Sequence, residues 1–192
     1  MANEHEAAIQ RRDELVEQLK GRSRSKRQEA SHGLAIMARA DASFMVGVAD
    51  DLVAALELPE AQTRWECLDA LSEIALIDAA RTREAFDGAE EALFDEGSAA
   101  AHLSAFRFLA RYGSVDPEAS RRAWPLMREA IQCYHGDPEY REMLICLLEF
   151  ARGSIAPEVG EALVDRMRFD AKSGTGFYRA YSKEICSTLQ KA

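Results

Sequence analysis

The sequence predicts an all-α chain of stacked helix pairs, and three observations carry that prediction. Large aliphatic residues recur at a spacing of 37 or 38 through the chain, at Leu34, Leu71, Leu109, Leu147 and Ile185. Further columns keep the same frame. Ala30, Cys67, Ala105, Met143 and Tyr181 form one, and Ala38, Ala75, Gly113, Ala151 and Leu189 form another. Between them, Leu56, Leu93, Ile131 and Phe169 align, as do Ala49, Phe86, Trp124 and Ala162. A fixed period in this range marks repeats that each bury an apolar face against the next. The third observation is what is missing: strand-like alternation is absent, and only 5 Pro and 11 Gly interrupt the chain, as expected when helical periodicity dominates.

Taken in order, residues 4–20 read as an amphipathic helix with Ile9, Val16 and Leu19 towards the core, ended by Gly21. The stretch GRSRSKR follows as a basic turn. Two alternating sets of helices come next. One set covers 25–40, 60–77, 98–112, 138–152 and 176–190, and the other 43–57, 79–95, 117–134 and 156–171. Asp41, Asp78, Asp116 and Ser154 share one register and suit the N-cap, where a side-chain oxygen accepts from an orphan backbone N–H. Pro59, Pro117, Pro138 and Pro157 fall at or near the first helical position, and Gly97, Gly113, Gly136, Gly153 and Gly174 at ends. Pro125 lies inside 117–134, where it should kink or divide the helix. The short connections place consecutive helices side by side and antiparallel.

Composition narrows the class. With 47% apolar and 30% charged residues, the 192-residue chain folds around a core instead of staying disordered. No apolar run approaches the ~18 residues of a membrane span, and the polar start MANEHEAAIQRRDELVEQLK does not read as a signal peptide. Cys67, Cys133, Cys146 and Cys186 have no CxxC spacing and read as buried free thiols of a reducing compartment, so the expected location is the cytoplasm. The net charge of −9 is uneven: residues 28–115 carry 16 acidic and 6 basic groups, whereas residues 1–27 carry 7 basic and 5 acidic. That pattern argues against a nucleic-acid footprint. Arg22, Arg24, Lys26 and Arg27 form the dense basic cluster, either a solvated edge near a helix C-terminus or a contact for phosphate or an acidic partner.

The segment AEEALFDEGSAAAHLSAFRFLARYG, within residues 79–113, resembles a HEAT repeat: a first helix ending in LFDE, a short turn, then a second helix of the form L-x-A-x-R-x-L-A-x-x-G. Looser copies are DDLVAALELPEAQTRWECLDALSEIA, REAIQCYHGDPEYREMLICLLEFARG and DRMRFDAKSGTGFYRAYSKEICSTL, so the resemblance covers about residues 25–192. It implies an armadillo-like α-solenoid, a right-handed α-α superhelix of about four helix pairs with capping helices at 4–20 and 176–190. The expected organisation is a single domain over 1–192, with a capping helix and basic turn over 1–24 and repeats over 25–192. The basic residue that such units often carry early in the second helix is matched by Arg64, Arg141 and Arg179, and departs to His102 in the 79–113 unit.

The resemblance also implies that the helices holding Leu34, Leu71, Leu109, Leu147 and Ile185 are the inner ones, lining a concave surface. The residues opposite their core stripe are then Glu29, His32 and Ile36; Glu66, Asp69 and Glu73; Ser104, Arg107 and Arg111; Glu142, Ile145 and Glu149; and Ala180, Lys183 and Ser187. Their charge alternates between repeats, which suits either ion pairs between neighbouring repeats or a charged groove for a partner. The candidate partner-binding residues are Glu66, Asp69, Glu73, Arg107, Arg111 and Glu149, and Trp65 is a candidate contact anchor. No catalytic residue is assigned. HExxH, GxSxG and a nucleotide loop are absent, Cys133 and His135 lack further ligands for a metal, and no cofactor is expected. The function expected is a non-enzymatic scaffold that binds a protein or peptide. The alternative, by resemblance to HEAT-like DNA glycosylases, is a nucleic-acid-binding enzyme with Asp69 and Trp65 as candidate pieces.

Overall fold

The computed structural model describes residues 2–191. Among these residues ten α-helices follow in order: α1 Ala2–Leu19, α2 Arg24–Ala40, α3 Ala49–Ala54, α4 Ala61–Ala75, α5 Phe86–Leu93, α6 Ala99–Gly113, α7 Pro117–Cys133, α8 Tyr140–Ala151, α9 Pro157–Ser173 and α10 Gly176–Leu189. Among the described residues there is no strand. The chain forms two compact units, residues 1–108 and 109–192. In the first, α2 packs between α1 and α4, and α3 lies against α4. In the second, α9 packs on α7 and α10, and α10 also touches α8.

The repeat frame describes the core. Leu34, Leu71, Leu109, Leu147 and Ile185 are all fully buried, as are Ala30, Cys67, Ala105 and Met143. Full burial of a leucine or isoleucine side chain is worth roughly 1.5–3 kcal/mol, so this one column supplies a large part of the drive that stacks the repeats. The aspartate caps form as read. Asp41 accepts from the Ser43 N–H, Asp78 from that of Arg81, and Asp116 from those of Glu118 and Ala119. Pro117 and Pro157 open their helices.

Several expectations need correction. The second members of the first two pairs are not single α-helices. Residues 42–57 run as 3₁₀ turns at Ala42–Phe44 and Val46–Val48, the short α3, then another 3₁₀ turn at Ala55–Glu57. Residues 79–93 run as a 3₁₀ stretch, Ala79–Ala85, followed by α5. Gly47 weakens the first segment, since glycine disfavours a helix by about 1 kcal/mol relative to alanine. In the second, the Thr82 hydroxyl donates to the Ala79 carbonyl three residues back, which suits the tighter turn.

Pro125 does not divide α7, which runs unbroken through it. Both Pro125 and Arg121, whose carbonyl loses its partner N–H, lie on the solvent-exposed side, where water can satisfy the freed oxygen. Ser154 is no cap: its N–H donates to the Ser114 carbonyl at 2.7 Å, and α9 starts after Ala156, whose N–H donates to Ser120 Oγ at 2.9 Å. Of the end glycines, Gly136 has a left-handed backbone (φ 104°), whereas Gly113 is required by close packing, since a Cβ there would lie 2.8 Å from the Phe150 ring. Cys133 is exposed instead of buried, and Phe169, expected in an apolar column, is 74% exposed.

Candidate functional site

Helices α2, α4 and α6 turn their core stripes inward, which leaves the opposite faces for chemistry. In the first unit the face of α2 presents Glu29, His32, Ile36 and Arg39, all exposed, with Ile36 at 50%. On α4 the corresponding residues are Glu66 and Asp69, both buried, and Glu73, half-buried; α6 contributes the buried Ser104 and the half-buried Arg107. Trp65 is half-buried, whereas Trp124 lies in the core.

These side chains form ion pairs one repeat apart. Asp69 Oδ1 accepts from Arg107 Nη1 at 2.5 Å, and Asp69 Oδ2 faces Arg39 Nη1 at 3.6 Å. Glu66 Oε1 meets His32 Nδ1 at 2.9 Å. Asp69 thus has a compensating guanidinium and Glu66 a hydrogen-bonding partner, as burial of a carboxylate demands. Arg39 keeps 47% of its side chain in solvent, and its contact is the longest of the three. Sequence reasoning missed Arg39. It lies one helical turn beyond Ile36 on the same stripe, so extending each face by a turn would have found it.

In the second unit, Arg111 Nε faces Glu149 Oε2 at 3.6 Å, Arg111 being mostly covered and Glu149 half-exposed. Pairs of the same kind recur along the chain. Arg64 reaches Asp95 at 2.8 Å, Arg121 reaches Glu158 at 2.5 Å, His135 reaches Asp170 at 3.0 Å, and Arg152 reaches Glu184 at 2.7 Å. Partners are separated by 30 to 38 residues, about the length of one repeat.

The basic cluster divides. Arg27 is engaged with the buried Glu60 through two nitrogens and donates its third to the Gly21 carbonyl at 3.0 Å. That guanidinium holds the Glu60 carboxyl below the usual glutamate range, and Glu60 in turn raises Arg27. Arg22, Arg24 and Lys26 are exposed.

Cys67 is fully buried, and burial pushes its thiol well up, so it is no nucleophile. Among the described residues, no group of three or more His, Cys, Asp or Glu side chains could hold a metal ion. No described helix is long and apolar enough to cross a membrane.

No family model matches the sequence, and no curated protein matches it. Solved structures do match. A designed armadillo repeat protein in complex with the peptide (KR)4 aligns with a TM-score of 0.74 and 15% identity, over 91% of this chain and 80% of that one. Computationally designed armadillo repeat proteins for modular peptide recognition align with a TM-score of 0.71 and 14% identity, over 91% and 80%. An engineered protein aligns with a TM-score of 0.71 and 18% identity, over 92% and 78%. At these identities the likeness speaks for the fold alone, and the fold is an armadillo-like helical repeat.

Proposed function

We propose that the protein is a non-enzymatic scaffold that binds an extended peptide segment on the faces of its inner helices, and that the segment in the first unit carries lysine or arginine. The observation that carries this reading is the buried Asp69 carboxylate, on the same helix as Glu66 and Glu73 and answered by Arg107 at 2.5 Å and Arg39 at 3.6 Å. Arg39 is half-exposed and its contact with Asp69 is long, and an ion pair screened by solvent in this way is worth about 0–1 kcal/mol. An incoming guanidinium can therefore replace Arg39 at little cost and retain the same buried carboxylate as its acceptor. The excess of acid over base in residues 28–115 favours approach of a cationic segment. The designed neighbours are peptide-recognition proteins, one of them bound to a Lys/Arg peptide, which supports the reading. Arg111 and Glu149 offer a corresponding charged pair on the second unit, and a repeat scaffold without an assigned nucleophile or metal centre needs no chemistry beyond recognition.

The test is titration of fluorescent (KR)4 and of an acidic peptide of equal length at low and high salt. Binding of the basic peptide alone, weakened by salt and by Glu29→Lys with Asp69→Asn, is expected. Reversing Arg107 would be a poorer probe, because it holds Asp69. Equal affinity for both peptides, or an unchanged affinity in the double variant, would overturn the proposal.

A further inference from the structure

The α7–α8 and α9–α10 connections of the second unit bring four rings and a buried carboxylate together, away from the inner-helix faces. Tyr140 opens α8 and is fully buried. Tyr178, in the first turn of α10, stacks on it with ring centroids 5.6 Å apart and planes 27° apart. Phe177 stacks on Tyr178 at 4.3 Å. The His135 imidazole, on the loop after α7, sits 4.9 Å from the Tyr140 ring and 5.2 Å from that of Tyr178. Its Nε2 bonds to Oδ2 of Asp170, from the last turn of α9, at 3.0 Å.

Two features are unexplained by packing. The Tyr140 hydroxyl is buried and has no hydrogen-bond partner, although an orphaned buried hydroxyl is costly. The Asp170 carboxylate is buried, with only 11% of its side chain accessible. Its side-chain partner among the described residues is an imidazole that is itself 42% exposed. Burial and the Asp170 charge both push the Tyr140 phenol up, so its hydroxyl stays protonated and its ring neutral. Arg166, the nearby cation on α9, donates to the Ile131 carbonyl at 3.4 Å.

Aromatic faces backed by a desolvated carboxylate are the chemistry that binds organic cations, whose charge is drawn to the ring quadrupole as well as to the anion. His135 lies where such a cation would lie: a flat nitrogen ring against two tyrosines with its N–H on the acid. It is also the removable member of the group. It is carried on a loop whose residues 135–138 are all exposed, next to Gly136, which has a left-handed backbone and open space around it.

We propose that Tyr140, Tyr178, Phe177 and Asp170 form a binding site for an organic cation, a guanidinium or alkylammonium side chain, and that the His135 imidazole is a displaceable occupant supplied by the chain itself. The Asp170 carboxylate accepts from the incoming N–H groups, Tyr140 and Tyr178 cover the charge where they now flank His135, with Phe177 stacked on Tyr178, and the Tyr140 hydroxyl gains a partner. An intramolecular occupant scales the apparent affinity down to the fraction of time it leaves the site free, so its removal tightens binding, about tenfold if it holds the site about nine-tenths of the time.

Methylguanidinium and methylammonium chlorides, against sodium chloride at equal ionic strength, are the probes, followed by aromatic ring signals of Tyr140 and Tyr178 in NMR. Saturable shifts are expected in the wild type, about tenfold tighter binding in His135→Ala, and loss of saturation in Asp170→Asn. His135→Gln, which retains a hydrogen-bonding side chain, serves should the alanine variant unfold. Absence of saturable shifts in both wild type and the His135 variants, or unchanged affinity in Asp170→Asn, would refute the site.

Discussion

Replacing Gly153 by alanine separates close packing from exposure as the basis of a stability forecast. Gly153 is exposed, and an exposed substitution ordinarily changes stability by less than about 0.5 kcal/mol. Its backbone is not left-handed, so alanine there should even stabilise by about 0.4–1 kcal/mol through the unfolded chain. The surroundings say otherwise. A Cβ on residue 153 would lie 2.6 Å from the Cβ of Ser114 and 2.8 Å from its Cα, and it would also meet the Ser114 carbonyl. These are backbone and near-backbone atoms that cannot rotate away. The same carbonyl accepts the Ser154 N–H at 2.7 Å, the bond that pins the loop before α9. Crowding of this kind costs about 1–3 kcal/mol, and loss of the bond about 1 kcal/mol more. Set against the unfolded-state gain, Gly153→Ala should destabilise by about 2 kcal/mol. Urea unfolding followed by circular dichroism reads this as a midpoint lowered by about 1 M at unchanged slope. Gly136→Ala is the counterpart: its space is open and its φ is 104°, so it should lose only about 1–2 kcal/mol of backbone strain. A Gly153→Ala midpoint within error of wild type would refute the argument from close approach.

Other consequences are open to direct measurement. Leu71→Ala, in a fully buried column, should cost about 2–5 kcal/mol in the same unfolding experiment. Asp116→Ala removes an acceptor for two backbone N–H groups at the start of α7 and should cost about 1 kcal/mol. Glu60 is held below its usual pKa of 4.5, first by its hydrogen bond to Arg27. A depressed folded-state pKa adds stability that is fully present above the unfolded value and is lost as pH falls through the folded one. Stability should therefore decline below about pH 4.5, and Glu60→Gln should flatten that limb; an identical acid limb in the variant counts against the Arg27 pairing. Cys133 is exposed, Cys67 and Cys146 are buried, and Cys186 is intermediate. Titration of the native protein with a disulfide reagent should show a fast thiol that Cys133→Ser removes.

The inner helices were the most legible part of the chain. Each is covered on several sides, so its apolar stripe is wide and its register shows in the sequence at Leu34, Leu71, Leu109, Leu147 and Ile185. The same frame loses accuracy at the last helix pair. Phe169 is 74% exposed and Tyr181, Leu189 and Ala162 are half-buried, where their counterparts in earlier repeats are buried. At these positions the frame marks an apolar residue, but the neighbours described cover it only in part. The broken segments 42–57 and 79–93 were hidden because 3₁₀ and α turns share most of their sequence preferences. The candidate charges were legible as residues on a face, since helical spacing fixes that. Their pairing was not, because which carboxylate meets which guanidinium depends on the offset between neighbouring helices. Arg39 on Asp69 and His135 on Asp170 both needed that offset.

The ion pairs between neighbouring repeats bear on how such a chain can be rearranged. The apolar columns are nearly the same from one repeat to the next and would let any unit sit on any other. Some of the pairs recur in the frame, as Arg27 with Glu60 and Arg64 with Asp95 do, but others do not: His32 meets Glu66, Arg107 meets Asp69 with the order of charge reversed, and His135 meets Asp170. A unit moved to another place in the order would bring a buried carboxylate such as Asp69 or Asp170 against the wrong side chain. The repeats therefore share one hydrophobic frame yet are addressed individually, and duplicating or shuffling them would first be opposed by uncompensated charge and not by poor packing.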